Sequence, residues 1–316
     1  MNRFIGRTLA LLLICITANS ALAQTQSSSQ DEEESSRQIV LDRFNKARPL
    51  TEATAGISGA GSAAKAMRPP VYRRTGSRRL PTGPRKSPVA STEEIGVTIW
   101  RLRPSRAADE GGRVLVLDGQ KQSQWTPERI EADTQLNIGD RVRLTIESPR
   151  QGFLYIIDRE QYADGSLGEA LMIFPTTRTR GGDNRVEPGK LVDIPAQEDQ
   201  YSYFTAQPAG ERRDQVAEVL TIVLLPQRLA LQIGEQPMKI ESAEITNWEK
   251  LWGGAAERLE LVGGAGRPWT REEKEAGAAK GKRLGQTGPP PQTVYRVARK
   301  AGGPLLVTVP LRYARR

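Results

Sequence analysis

The sequence of 316 residues contains no histidine. That absence removes imidazole triads, histidine-ligated zinc and haem, and the commonest general base near neutral pH. Its single cysteine, Cys15, removes CxxC redox chemistry and paired-thiolate metal sites. Aromatic residues make up only 5% of the chain, so each one carries weight in a core. Long apolar runs are lacking too: none approaches the roughly 20 residues that a membrane-spanning helix needs.

What is present begins with a secretory signal pattern. Arg3 and Arg7 form a positive start, Thr8 to Ala18 is apolar around Leu11, Leu12 and Leu13, and Ala21-Leu22-Ala23 offers a small-x-small cleavage site. Cleavage is expected after Ala23, giving a mature chain from Gln24 that is periplasmic or secreted and has no transmembrane segment. Cys15 follows Ile14 inside the apolar run, which does not suit a lipid-modified cysteine. Arg3 and Arg7 are not adjacent, so a twin-arginine route has no support. Removing residues 1–23 removes the only cysteine, and an exported chain without disulfides has to bury a real core.

Residues 24–94 read as a disordered, basic linker rich in Pro, Gly and Ser. Ile39, Val40, Leu41 and Phe44 suit a brief helix of about two turns, marginal by itself in water. Gly56, Gly59, Gly61, Pro69-Pro70, Pro81, Pro84 and Pro88 then punctuate a stretch too polar to offset chain entropy. Charge divides unevenly. Residues 53–92 hold eight bases and no acid, whereas 93–316 hold 32 bases against 31 acids. Of the total of +9, residues 1–23 carry +2 and residues 24–92 carry +6, so the folded body is nearly neutral. Nucleic acid is not an expected partner. Two motifs in the linker lack their context. Gly59-Ala60-Gly61-Ser62-Ala63-Ala64 has the letters of a dinucleotide fingerprint with no strand before it, and Ser62-Ala63-Ala64-Lys65 lacks the companions of a penicillin-binding serine.

From Ile95 the periodicity is that of strands. Val97, Ile99 and Arg101 alternate with Thr98, Trp100 and Leu102, and Val142, Leu144 and Ile146 with Arg143, Thr145 and Glu147. Further strands are expected at 113–118, 153–158, 170–174, 191–194, 201–205 and 216–225, the last too continuously apolar to face water on either side. Ala163-Asp164-Gly165 reads as a hairpin turn. Thr126-Pro127-Glu128 is expected to open a short helix with Thr126 as N-cap. After Pro226, Ile245, Trp248, Leu251 and Trp252 share a helical face, with Ser242 as N-cap and Gly253-Gly254 ending the helix. Those tryptophans suit core anchors. Thr270 and Glu273 form a capping box for a short helix through Ala279. Gln292–Arg299, Gly302-Gly303 and Pro304–Leu311 suggest a closing hairpin. The expected fold of body 95–316 is mainly β, an antiparallel β-sandwich, immunoglobulin-like in general architecture, with one or two short helices packed on it.

Within this body runs an ordered series: Ile138-Gly139-Asp140-Arg141-Val142-Arg143-Leu144, Gly152-Phe153-Leu154-Tyr155, Asp164-Gly165, Ile173-Phe174-Pro175, Asp183-Asn184-Arg185-Val186, Pro188-Gly189 and Ile194-Pro195. Over 138–225 the chain resembles the bacterial domain-of-unknown-function family 4384. Phe153 stands where that family more often shows tyrosine. The resemblance implies a small β-rich domain, often attached to other modules, with no established activity or catalytic residues to carry over; 226–316 adds the helix and hairpin. The same residues also have a structural reading. Pro175 ends a strand, Asp183-Asn184 suits a loop, and Glu187-Pro188-Gly189-Lys190 is turn chemistry.

Catalysis without histidine or mature cysteine would need carboxylates, Ser/Lys, Tyr or a borrowed metal; paired carboxylates could run glycoside hydrolysis, with Asp158, Asp164 and Asp183 as candidates. Asp158 and Asp164 do not have the spacing of an EF-hand loop. Arg178, Arg180 and Arg185 lie near Asp183 and Asn184, a candidate anion- or ligand-binding loop. The chain is expected to be an exported, non-catalytic module acting in the envelope by binding or structure, with no cofactor and no metal. Its expected partner is an envelope protein or an anionic envelope polymer. The alternatives are a carboxylate-dependent glycan hydrolase and a linker that itself binds anionic wall polymer or lipid.

Overall fold

Strand alternation sorts the side chains of Arg141–Glu147 onto two faces, and both are largely buried. Val142, Leu144 and Ile146 enter the main core, while Arg143, Thr145 and Glu147 occupy the other face. The computed structural model describes residues 43–50, 70–75, 92–109, 112–118, 121–199, 202–208, 212–299 and 302–314. The signal segment, its cleavage position after Ala23 and most of the linker lie outside the described residues.

Two antiparallel sheets pack face to face. The first comprises β1 (Tyr72–Thr75), β2 (Thr92–Pro104), β3 (Val114–Asp118), β4 (Lys121–Ile130), β5 (Arg141–Glu147), β9 (Val192–Ile194), β10 (Phe204–Thr205), β13 (Ala256–Leu261) and β14 (Thr293–Ala298). Its main path is β1-β13-β14-β2-β4-β3; β5 pairs with β2 and carries β9 and β10. The second sheet runs β12 (Met238–Ile240), β7 (Ala170–Phe174), β6 (Gly152–Tyr162), β11 (Gln215–Leu225) and β15 (Leu305–Arg312), with β8 (Arg185–Val186) against the start of β6. Ile95, Val97 and Ile99 of β2 meet Leu220, Ile222 and Leu224 of β11 in one core between the sheets. Each such apolar side chain contributes about 1.5–3 kcal/mol on burial.

Short helices cover the outer faces. Helix α2 (Ser242–Trp252) lays Ile245 and Trp248 on Tyr155, Ile157 and Val223 of the second sheet, so Trp248 is a core anchor; Trp252 packs there half-buried, and Leu251, expected on the same face, is exposed. Its N-cap is Glu241 rather than Ser242. Helix α3 (Arg271–Gly277) begins with the expected Thr270–Glu273 capping box. The hairpin at Ala163-Asp164-Gly165 forms between β6 and β7, where Gly165 has φ +83°.

Three sequence expectations need correction. First, Thr126-Pro127-Glu128 lies within β4 and opens no helix. The Pro127 carbonyl accepts from the Trp269 N–H (3.0 Å), so the side on which proline lacks a donor faces residues 267–269 and not the β2 ladder. Second, β14 and β15 do not form a hairpin; they belong to opposite sheets. Each has an alternate apolar row to bury, Tyr295 and Val297 in one and Leu305, Val307 and Val309 in the other, and the rows meet across the core.

Third, the span 24–94 is not linker throughout. Residues 43–47 form a helical turn, α1, whose Phe44 is buried with Tyr72, Leu259, Leu261 and Val294. Gly96 permits this approach, since a Cβ there would lie 2.7 Å from Pro291 and 3.3 Å from the Phe44 ring. Arg48 forms a bidentate pair with Glu147 (2.7 and 2.8 Å). Strand β1 pairs with β13, and β2 already begins at Thr92. A few strong anchors hold segments whose composition alone could not fold.

Candidate functional site

The loop candidates of 176–190 separate into structural and exposed residues. Asn184 is buried; its side-chain amide donates to the Leu154 carbonyl (2.9 Å) and its own carbonyl accepts from the Leu154 N–H (2.9 Å). It ties the loop to β6. Asp183 accepts from the Arg185 N–H (3.0 Å), a local turn bond, and its carboxylate lies 3.9 Å from the Arg180 guanidinium. Arg178 and Arg185 are exposed. None of these five residues lines the cavity described next.

The expected carboxylates also go to different places. Asp164 sits at the β6–β7 hairpin tip and accepts from the Ser166 N–H and hydroxyl (2.8 and 2.6 Å). Asp158 is in the body of β6. Strand alternation places it two residues past Ile156, on the row facing the core. Glu218 of β11 stands two residues before Leu220 on the matching row, and Tyr313, just past β15, continues the row of Val309 and Leu311. These three groups meet at a cavity of about 120 Å³ between the sheets. Val142, Leu144 and Leu220 form apolar wall, and the exposed residues Phe204 and Thr205 stand on its outer side.

Hydrogen bonds define the polar wall. Glu218 accepts from the Tyr313 hydroxyl (3.0 Å) and from the Gln215 side-chain amide (2.7 Å). The Asp158 and Glu218 carboxyls both face the cavity, and Asp158 Oδ1 is buried with no hydrogen-bond partner among the described residues.

Residues 135–217 match the family model DUF4384, described as a domain of unknown function. The chain carries a DUF4384 domain. No curated protein and no solved structure matches the chain. The DUF4384 domain supplies Leu136, Val142, Asp158 and Phe204 to the cavity. Glu218 follows the matched span immediately, and Leu311 and Tyr313 come from the end of the chain. The cavity is therefore completed by sequence outside the DUF4384 domain.

Burial is the main force on its ionisation. It pushes the Asp158 carboxyl up to about 8, with the negative charge of Glu218 adding to the shift. It raises Glu218 as well, against the bonds from Gln215 and Tyr313 that favour its charged form. Burial, then the Glu218 charge, raises the Tyr313 phenol. Asp158 consequently keeps its proton near neutral pH. Sequence reading named Asp158 but missed Glu218 and Tyr313. Their signal was parity: two acids and a tyrosine on strand rows that otherwise face the core.

Proposed function

We propose that this protein is an exported, non-catalytic β-sandwich module of the bacterial envelope that binds a small ligand between its sheets. The observation carrying this reading is the cavity of about 120 Å³, which joins apolar walls to a few convergent polar groups in the manner of a ligand site. The leader pattern of residues 1–23 supports export.

The alternatives draw less support. A glycosidase separates its two carboxyls by about 5–5.5 Å or about 6.5–9.5 Å, to admit a sugar carbon or a water. Asp158 and Glu218 stand on neighbouring strands of one sheet, on the same wall of the cavity, and do not flank it. Linker electrostatics is weakened because Arg73 and Arg74, two of the eight bases in 53–92, pair with Glu131 and Glu257 (both 2.6 Å).

The test is ligand-observed NMR on the mature chain with a panel of small neutral, anionic and cationic probes. Ala206, a wall residue, is changed to Leu to fill the cavity. At least one probe binds the native chain, and A206L abolishes that binding without changing the near-UV circular dichroism. Binding unaffected by A206L, or turnover of envelope glycans, overturns the reading.

A further inference from the structure

The polar groups at the cavity are unusual in sign. Asp158, Glu218, Tyr313 and Thr205 line it, and among the described residues no Lys or Arg does. Strand alternation explains the exclusion: Arg159, next to Asp158, faces the other way and bonds Thr221 (3.3 Å) and Glu249 of α2. Both protein donors to Glu218 land on its Oε1, while Asp158 Oδ1 is a fully buried acceptor with no partner among the described residues. A buried acceptor of this kind gains most from a charged N–H donor.

From this geometry, and resting on the reading of the cavity as a ligand site, we infer that the ligand is a small primary ammonium with a short aliphatic body. The ammonium donates to Asp158 Oδ1, and the carbon chain lies along Val142, Leu144 and Leu220. Size sets a limit. An apolar cavity of about 150 Å³ takes a six-carbon ring, so about 120 Å³ suits some five non-hydrogen atoms. A metal ion is disfavoured, because hard cations require about six or more oxygen ligands and this wall is mostly apolar.

The proton that Asp158 keeps near neutral pH competes with the ammonium. The groups facing Asp158 are Glu160 on its own strand, Glu218 and Gln215 on β11, and Tyr313 beyond β15. The other strands present Val142 and Leu144 (β5), Ile173 (β7), and Phe204 and Thr205 (β10). No cation among them changes the sign. Binding releases the proton, so it tightens as pH rises, approaching about tenfold per unit below the titration of the pair.

The experiment measures binding of n-butylammonium and, separately, n-butanol to the mature chain by NMR titration between pH 6 and 9. The expected result is ammonium binding that strengthens at least tenfold from pH 6 to 8, and n-butanol binding at least tenfold weaker at pH 8. Asp158→Asn and Glu218→Gln each weaken the ammonium at least tenfold. The pH profile of the native chain needs no variant and decides the matter if either substitution disturbs folding. Equal binding of n-butanol, or a flat pH profile, overturns the ammonium assignment yet leaves a ligand cavity. Absence of binding by n-butylammonium overturns the assignment as well, and the wider probe panel with A206L then shows whether the cavity reading fails with it.

Discussion

The outer face of the first sheet and the cavity between the sheets treat buried acids in opposite ways. On the outer face Glu147 meets Arg48 at 2.7 Å, Asp193 meets Arg143 at 3.2 Å, Glu94 meets Arg296 at 3.0 Å, and Glu273 pairs with Arg129. Aromatic rings reinforce this layer: the Arg143 guanidinium lies 4.8 Å from the Trp269 ring centre, and that of Arg129 lies 5.3 Å from the Trp100 ring centre. In the cavity, Asp158 and Glu218 have each other, a phenol and an amide. A buried charge without a counter-charge is costly unless it shares a proton. Among the described residues no Lys or Arg lines the cavity, so these acids lack the counter-charge that the outer face supplies.

The largest effect is expected where matching is tightest. Arg48→Leu leaves Glu147 buried and charged and removes bonds from Arg48 to the carbonyls of Gly288 (2.8 Å) and Pro289 (2.9 Å). Breaking one side of a buried pair costs about 3–5 kcal/mol. Urea denaturation reads that loss, and limited proteolysis between residues 43 and 50 accelerates. Adding Glu147→Leu to Arg48→Leu recovers part of the stability. If Arg48→Leu alone has no effect, the layer's pairing is not what holds the N-terminal segment.

The cavity predicts a pH effect of definite sign. Asp158 titrates near 8 in the folded chain and near 3.8 when unfolded. Between those values the folded state keeps a proton that the unfolded state has released. Stability therefore falls as pH rises from about 4 to 8 and levels off above, with a slope of at most about 1.4 kcal/mol per unit from this group. Asp158→Asn removes the slope, so the difference between its urea curve and the native one grows in the variant's favour toward pH 9. A difference independent of pH would mean that the acids are solvated like those on the surface.

Much of the fold was legible because one face of each strand is apolar. The alternation in 141–147, the hairpin at Asp164-Gly165 and the box at Thr270 and Glu273 are local patterns with local causes. The missed features depend on neighbours. Pro127 is a strand residue because residues 267–269 cover its donor-free side, and the 43–50 segment folds because Glu147 waits for Arg48. The site was half legible. Asp158 could be named and its parity read, but pairing it with Glu218 needs the β6–β11 register, in which Leu220 faces Asp158. Tyr313 is farther still, brought in by the packing of β15 on β11.

The smallest effect belongs to a third setting, the exposed tip of the β6–β7 hairpin. There Arg212 lies 3.2 Å from Asp164 and 2.6 Å from Asp214. Asp164 is held down to about 2 first by the Ser166 hydroxyl and N–H, with Arg212 contributing less. Exposed pairs gain little because water and salt screen both charges. Arg212→Ala is expected to leave the urea midpoint unchanged within error and Asp164 still well below the ordinary carboxylate range. Ser166→Ala should raise Asp164 more than Arg212→Ala does, as read by carboxyl-carbon NMR titration. The reverse order would make the ion pair, rather than the turn, the source of the shift. Acids at this tip would then depend on their arginine as those of the outer face do, and exposure would no longer separate the settings.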